Sequence, residues 1–282
     1  MCRFALYLGP PVRLSQLVTE PTNSIIHQSF HSHERLEPLN GDGFGVAWYV
    51  PDIRPEPALF RSTTPAWNNH NLLNLAAVTV SHCLLAHVRA ATPGLPVTHL
   101  NCHPFQRKQF AFMHNGSVGG FSLIKRRIRE QLSDHAYNAI EGSTDSEHVL
   151  ALMSDAYDSA IEEDPLDRMA VALCQAVTQV ESLRKAAGVE EQSYLNMAVT
   201  DGRCAVVSRY VSDGSERAHS LYYACGCLMV ERGEARVVEG GEGEAAVVVA
   251  SEPLGPDTAW TPVAPNHMVM VSDDRTVEVR AM

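Results

Sequence analysis

Short apolar segments that read as strands separated by loops stand at both ends of this 282-residue chain, and three long helical stripes stand between them. The first group is Arg3 to Leu8, Gly45 to Val50, Leu59 to Ser62, Cys83 to Arg89 and Phe110 to His114. Helical periodicity then takes over at Phe121 to Leu132, Thr144 to Asp155 and Pro165 to Ala187. The last carries Met169, Leu173, Val177 and Val180 on one stripe and has Gly188 as its stop. Beyond Gly188 strands return, including Ala246 to Ala250, and Asp201-Gly202 between Leu195 to Thr200 and Cys204 to Tyr210 reads as a hairpin. Strands, then helices, then strands predict two sheets with the helices outside, an α+β layered sandwich. The length allows a sizeable core, as one large domain or two small ones.

The first of these strands begins one residue after Cys2. Removal of Met1 would leave a thiol and a free α-amine on Cys2. An α-amine titrates near pH ~8, so it can take the thiol proton directly or through one water. Cys2 alone reads rather as a chance cysteine at the start of an edge strand. Three downstream segments supply what hydrolysis of an amide on a bound α-amino acid needs. His87-Val88-Arg89-Ala90-Ala91-Thr92 ends an apolar run in a guanidinium that can grip a carboxylate with two parallel hydrogen bonds, or form a structural ion pair. Asn115-Gly116, after the strand that reaches His114, sets a side-chain amide beside an unhindered Gly N–H: an oxyanion hole or an ordinary Asn-Gly turn. Gly142-Ser143-Thr144-Asp145-Ser146-Glu147 opens a helix with Thr144 and Glu147 as a capping box, and Asp145 there is a ligand or a partner of the helix dipole.

Together and in this order, the four features resemble the class II glutamine amidotransferase domain, a member of the N-terminal-nucleophile hydrolases. The likeness continues through Asn40-Gly41-Asp42-Gly43-Phe44-Gly45, Asn101-Cys102-His103-Pro104-Phe105 and Ser251-Glu252-Pro253-Leu254, and so covers most of the chain. It implies a four-layer αββα sandwich of two mainly antiparallel sheets, formed as a single domain over residues 1–282. It also implies Cys2 as nucleophile, Asn115 and Gly116 as oxyanion donors, Arg89 as holder of the glutamyl α-carboxylate and Asp145 as holder of the α-ammonium. Within the family, the Met-Cys-Arg start and the Asn-Gly-Asp-Gly segment look most like stand-alone γ-glutamyl hydrolases of the ergothioneine-biosynthesis and fungal glutathione-degradation type. The larger amidotransferases usually carry an aromatic residue after the arginine and a His-Gly soon after the threonine, where this chain has Ala90 and Pro93-Gly94. That difference weakens an assignment of free glutamine as substrate.

The expected reaction is hydrolysis of a γ-glutamyl amide through a Cys2 thioester, with release of glutamate and with no metal or organic cofactor. One alternative is a glutaminase subunit that delivers ammonia to a separate synthase, and the resemblance leaves room for a synthase or a peptidase as partner subunit. Another is a non-catalytic binding protein on the same fold. Selectivity for the leaving amine is expected on the loops Pro93 to Asn101 and His27 to Leu39.

Acidic residues number 33 against 22 basic ones, for a formal charge of -11, and a chain this acidic without a basic run is a poor binder of nucleic acid or anionic membranes. The cluster Lys125-Arg126-Arg127 with Arg129 lies on a helix whose Phe121, Ile124, Ile128 and Leu132 share the other face, so it reads as a solvated face. No leader pattern and no apolar stretch of membrane-spanning length is evident, which predicts a cytoplasmic protein. Seven cysteines without a C-x-x-C suit reduced thiols. The groups His27, His31 and His33, then His82, Cys83 and His87, then His99, Cys102 and His103 have no recognised zinc spacing, and helical periodicity around His27 and His31 is weak. The Gly41 to Gly45 run lacks the Lys-Ser/Thr of a phosphate loop. Glu239 to Glu244, rich in Gly and Glu, reads as a mobile surface loop.

Overall fold

The computed structural model describes residues 2–34, 39–91, 96–215, 218–238, 241, 243–255 and 259–282. Its strands are β1 (Arg3–Arg13), β2 (Phe44–Val50), β3 (Arg54–Ser62), β4 (Val80–Val88), β5 (Phe105–Arg107), β6 (Phe110–Ser117) and β7 (Tyr194–Thr200). They continue as β8 (Ala205–Arg209), β9 (Tyr222–Glu231), β10 (Glu234–Val238), β11 (Ala246–Ala250), β12 (Thr261–Pro262), β13 (His267–Val271) and β14 (Val277–Ala281). The helices are α1 (Ser15–Val18), α2 (Ile25–Phe30), α3 (His70–Val78), α4 (Phe121–Glu130), α5 (Asp134–Asn138), α6 (Asp145–Ser159) and α7 (Pro165–Ala186).

One sheet has the order β10-β9-β11-β1-β4-β2-β3, with β12 also paired to β9, and the other has the order β14-β13-β8-β7-β6-β5. Neighbouring strands in both are antiparallel. Period-two alternation sorts their side chains into separate cores. On β1, Phe4, Leu6 and Leu8 turn inward to the second sheet, while Ala5 and Tyr7 turn outward with Leu17, Ile25 and Leu72 of α1, α2 and α3. On β6, Ala111 and Met113 turn inward, and Phe110 and Phe112 turn outward with Ile124, Val149 and Leu173 of α4, α6 and α7. Helices, sheet, sheet and helices therefore stack in four layers, as the sequence predicts.

The expected stripe on α7 is buried throughout, and Gly188 ends it at φ +67°, a conformation that favours glycine. Helix α3 has no counterpart in the periodicity, because it buries only Leu72 and Ala76; its start is held by the Asn69 side chain, which accepts the Leu72 N–H. Helix α2 arises in the same way, with Ser24 accepting the His27 N–H and Ile25 as its buried apolar residue. The Thr144 hydroxyl caps α6 at Glu147 N–H, but the Glu147 carboxylate turns away to Glu141 N–H and Gly142 N–H, so only half of the expected capping box forms. Asn115-Gly116 lies inside β6, opposite Asn196 and Leu195, and is neither after the strand nor a turn. Residues 239, 240 and 242 of the Gly/Glu segment lie outside the described residues.

The two sheets are tied across their shared core by Tyr49 of β2. Its hydroxyl accepts the Ala111 N–H at 3.0 Å and lies 2.9 Å from both Gln109 O and Thr200 O on the opposite sheet. Tyr49→Phe leaves the buried Ala111 N–H without its acceptor. It should lower the unfolding free energy by about 1–3 kcal/mol in a denaturant titration, with the slope of the transition unchanged; a loss below ~0.5 kcal/mol would show that this tie carries no weight.

Candidate active site

Strand β1 is paired to β11 on one edge and to β4 on the other, so residue 2 enters the sheet at its centre. The register Arg3 to Val88 and Phe4 to His87 brings Cys2 level with Arg89. The Cys2 Sγ lies 3.6 Å from Ala90 O. Beyond the end of β4, Arg89 N–H donates to Gly43 O at 2.8 Å and Asp42 N–H to Arg89 O at 3.1 Å, so the ladder with the residues before β2 continues past both strands. Asp42 also accepts the Ala91 N–H at 2.8 Å, which fixes the chain on the far side of Arg89. A side chain at Gly43, where φ is +111°, would place its Cβ 2.7 Å from Ser62 O. Among the described residues the Arg89 guanidinium makes one long bond, Nη1 to Asp42 O at 3.4 Å, although the residue is only 3% exposed.

Asn115 reaches the same strand end from the opposite sheet. Its Nδ2 lies 3.5 Å from the Ser251 hydroxyl, and Ser251 is bound to β1 on both sides of its own peptide: Phe4 N–H donates to its Oγ at 3.1 Å, and its N–H donates to Phe4 O at 2.9 Å. The Asn115 Oδ1 is buried without a hydrogen-bond partner among the described residues. Gly116, at φ +149°, admits no other residue, because a Cβ would stand 1.8 Å from Tyr194 O. Asp145, the first residue of α6, accepts the Val118 N–H at 2.8 Å and the Ser146 N–H at 2.8 Å, which ties the segment after β6 to the start of the helix. Behind Asn115, His114 contacts Ser146 Oγ at 2.9 Å and Tyr194 O at 3.0 Å. Thr92 of the arginine motif and the Pro93-Gly94 that follows lie outside the described residues, as does Met1.

Burial pushes the Cys2 thiol up from its ordinary range, a rise offset in part by Ala90 O and by the Arg89 and Arg3 guanidinium groups. The thiol therefore rests protonated at neutral pH and needs a base. Two imidazoles stand near it. His87, with Nε2 at 3.1 Å from His114 O, is held down to about 3 by burial, against the bond to His114 and with the help of Arg89. His103 stacks on it at 4.2 Å and is pushed well below its ordinary value by burial and then by His87. Both are neutral and both are poor bases.

The structure thus brings Cys2, Arg89 and Asn115 to one end of the packed interface between the sheets, with Gly116 next to Asn115 and Asp145 bonded to Val118, two residues past Gly116. Sequence reasoning assigned no role to Arg3, which is 1% exposed and bonded to Glu252, or to Ser251. The usable signal was a charged residue at the head of an otherwise apolar strand.

The family described as class II glutamine amidotransferases matches residues 15–282. The chain is 41% identical over 292 residues to the probable glutamine amidotransferase DUG3 of Saccharomyces cerevisiae, across 96% of this chain and 82% of that one. It is 26% identical over 278 residues to the gamma-glutamyl-hercynylcysteine sulfoxide hydrolase of Mycolicibacterium smegmatis, across 98% of each. A solved glutamine aminotransferase class-II domain protein from Silicibacter pomeroyi superposes with a TM-score of 0.68 at 29% identity, covering 99% of both chains. The chain belongs to the class II glutamine amidotransferase family.

The neutral histidines give a signed pH prediction. His87 titrates near 6.5 when unfolded and at about 3 when folded, so between those values the unfolded chain binds the extra proton. Its share of stability is complete above pH ~6.5 and falls as the pH drops, by up to about 1.4 kcal/mol per pH unit. Unfolding free energies measured from pH 7 to pH 4 should therefore fall less steeply for His87→Gln than for the unaltered protein. Parallel curves would mean that His87 is not held neutral.

Proposed function

We propose that this member of the class II glutamine amidotransferases hydrolyses a γ-glutamyl amide through a thioester on Cys2 and releases glutamate. The observation that carries the reading is the meeting of Cys2, Arg89 and the Asn115 carboxamide at one end of β1, each supplied by a different strand or strand end. With Met1 removed, the α-amine of Cys2 takes the thiol proton as sulfur attacks the γ-carbonyl carbon. A C–S bond forms, and the negative oxygen is held by Asn115 Nδ2 and Gly116. Collapse breaks the C–N bond, and the ammonium on Cys2 returns its proton to the departing amine. Water, deprotonated by the same amine, then attacks the thioester; glutamate leaves and the sulfur regains its proton.

Arg89 suits the α-carboxylate because most of its donors have no described partner, and Asp145 keeps lone pairs for an α-ammonium beyond its two backbone bonds. A base other than a histidine is favoured by the weak basicity of His87 and His103, both pushed well below the ordinary imidazole range by burial. The name of the mycobacterial relative and the Ala90 that follows Arg89 both support a γ-glutamyl compound with a leaving group larger than ammonia. The reading takes residues 1–282 as one domain acting in the cytoplasm on a small molecule. Among the described residues no helix is long and apolar enough to cross a membrane.

The side-chain roles separate in steady-state kinetics on a panel of glutamine, glutathione and other γ-glutamyl amides. Arg89→Lys and Asp145→Asn should each raise KM by about one to two orders of magnitude with kcat largely kept, because each loses a ground-state contact. Asn115→Ala should lower kcat about 100-fold with KM nearly unchanged, because its donor acts on charge present only in the transition state. A KM defect with normal kcat at Asn115 would move that residue into substrate binding.

The nucleophile has its own test. Protein that retains Met1 or carries an N-terminal tag should be almost inactive, since its amine has become an amide, while processed and C-terminally tagged protein should turn over. Equal rates would remove the α-amine from the mechanism.

A further inference from the structure

Arg3 spends its whole guanidinium inside the protein. Nε donates to Glu252 Oε1 at 2.6 Å, Nη2 to the Ser32 hydroxyl at 3.2 Å, and Nη1 to the carbonyl oxygen of Cys2 at 2.9 Å. Glu252 is held in turn by the Ser32 hydroxyl and by the His33 N–H at 2.9 Å. Burial alone would push its carboxyl up, but Ser32, Arg3 and His33 outweigh that and hold it below the ordinary range. A buried ion pair of this kind is a weak source of stability, since a well-packed apolar pair often does as well. What an apolar pair cannot supply is the bond to the Cys2 carbonyl.

That carbonyl and the α-amine sit on the same residue, two covalent bonds apart along the chain. Covalent geometry therefore keeps the nearest guanidinium nitrogen within about 6 Å of the amine. We propose that Arg3, locked by Glu252, is a positioning residue for the nucleophile: it fixes the direction in which the amine and thiol of Cys2 leave the strand, and its charge favours the unprotonated amine. This rests on the reading of Cys2 as an N-terminal nucleophile.

The other titratable and charged groups around residue 2 come from several elements. His87 of β4 and His103, stacked on it, are held uncharged by burial, and the Cys102 thiol before β5 is pushed up by burial. Arg89, at the end of β4, acts with the same sign as Arg3. Glu252, after β11, opposes it from behind the guanidinium. His219, in the segment between β8 and β9, is held down to about 4 by burial and then by Arg3, so it is uncharged at neutral pH. His114 of β6 is turned to Ser146 and Tyr194. Arg3 is the cation bonded to residue 2 itself.

The test is the pH profile of kcat/KM for processed, C-terminally tagged enzyme on a γ-glutamyl amide that it turns over, with two variants. Arg3→Lys keeps the charge and loses the fork; it should leave the acidic limb in place while kcat falls about 10-fold or more. The double variant Arg3→Gln with Glu252→Gln leaves no buried unpaired charge and should move the acidic limb up by about half to one pH unit, with activity recovering toward high pH. A loss by the same factor at every pH, with no movement of the limb, would reduce Arg3 to packing and overturn the proposal. If circular dichroism shows the double variant unfolded, Arg3→Lys decides alone: an unchanged kcat or a moved limb overturns it. The Met1-retaining protein separates the two ideas, because activity there defeats the N-terminal-nucleophile reading itself, whereas silence there with unmoved limbs defeats only the role of Arg3.

Discussion

Strand β1 is hydrogen-bonded along both edges, to β11 and to β4, and residue 2 inherits its place from those two ladders. Register in such a strand is fixed by burial on both faces, since a slip of one residue would exchange Phe4, Leu6 and Leu8 with Ala5 and Tyr7 between two different cores. The same alternation separates the chemistry. Cys2 and Ser251 fall on the inner side with Asn115, while Arg3 and Glu252 fall on the outer side beneath the residues that follow α2. The proposed nucleophile directly precedes a strand paired along both of its edges, where an unpaired terminal segment would fray.

Elements with a strong local pattern were legible in the sequence: α7 shows its stripe, and β11 and the β7–β8 hairpin stand where a short apolar run and an Asp-Gly turn put them. Helices α2 and α3 were not, because each is held by one polar cap and buries one or two apolar side chains. Asn115-Gly116 misled for a related reason. The dipeptide has the composition of a turn, but its glycine is required by the approach of Tyr194 O within a continuous strand, a contact made 78 positions along the chain and invisible locally.

The candidate site divides in the same way. Cys2, Arg89, Asn115 and Asp145 were found because they stand in short recognisable motifs. The residues that hold them were not, since Arg3 meets Glu252 across a separation of 249 residues and Asn115 meets Ser251 across 136. Motifs single out the groups proposed to touch a substrate, whereas their supports are specified only by topology. The local charge is likewise unreadable from a formal total of -11: near Cys2, burial holds His87 and His219 uncharged, and the charges acting on the thiol include the guanidinium groups of Arg89 and Arg3.

The pairing of Ala5 with Ala250 has a consequence in time. Strand β1 cannot complete its second edge until β11 has been made, so while everything between them is synthesised the head of β1 stays open on one side. An aminopeptidase acting on the nascent chain would work in that interval. On the proposed mechanism the readiness of the site would then be set by the pace of synthesis, with β11 the last strand to pair with β1 and closing over an end already trimmed.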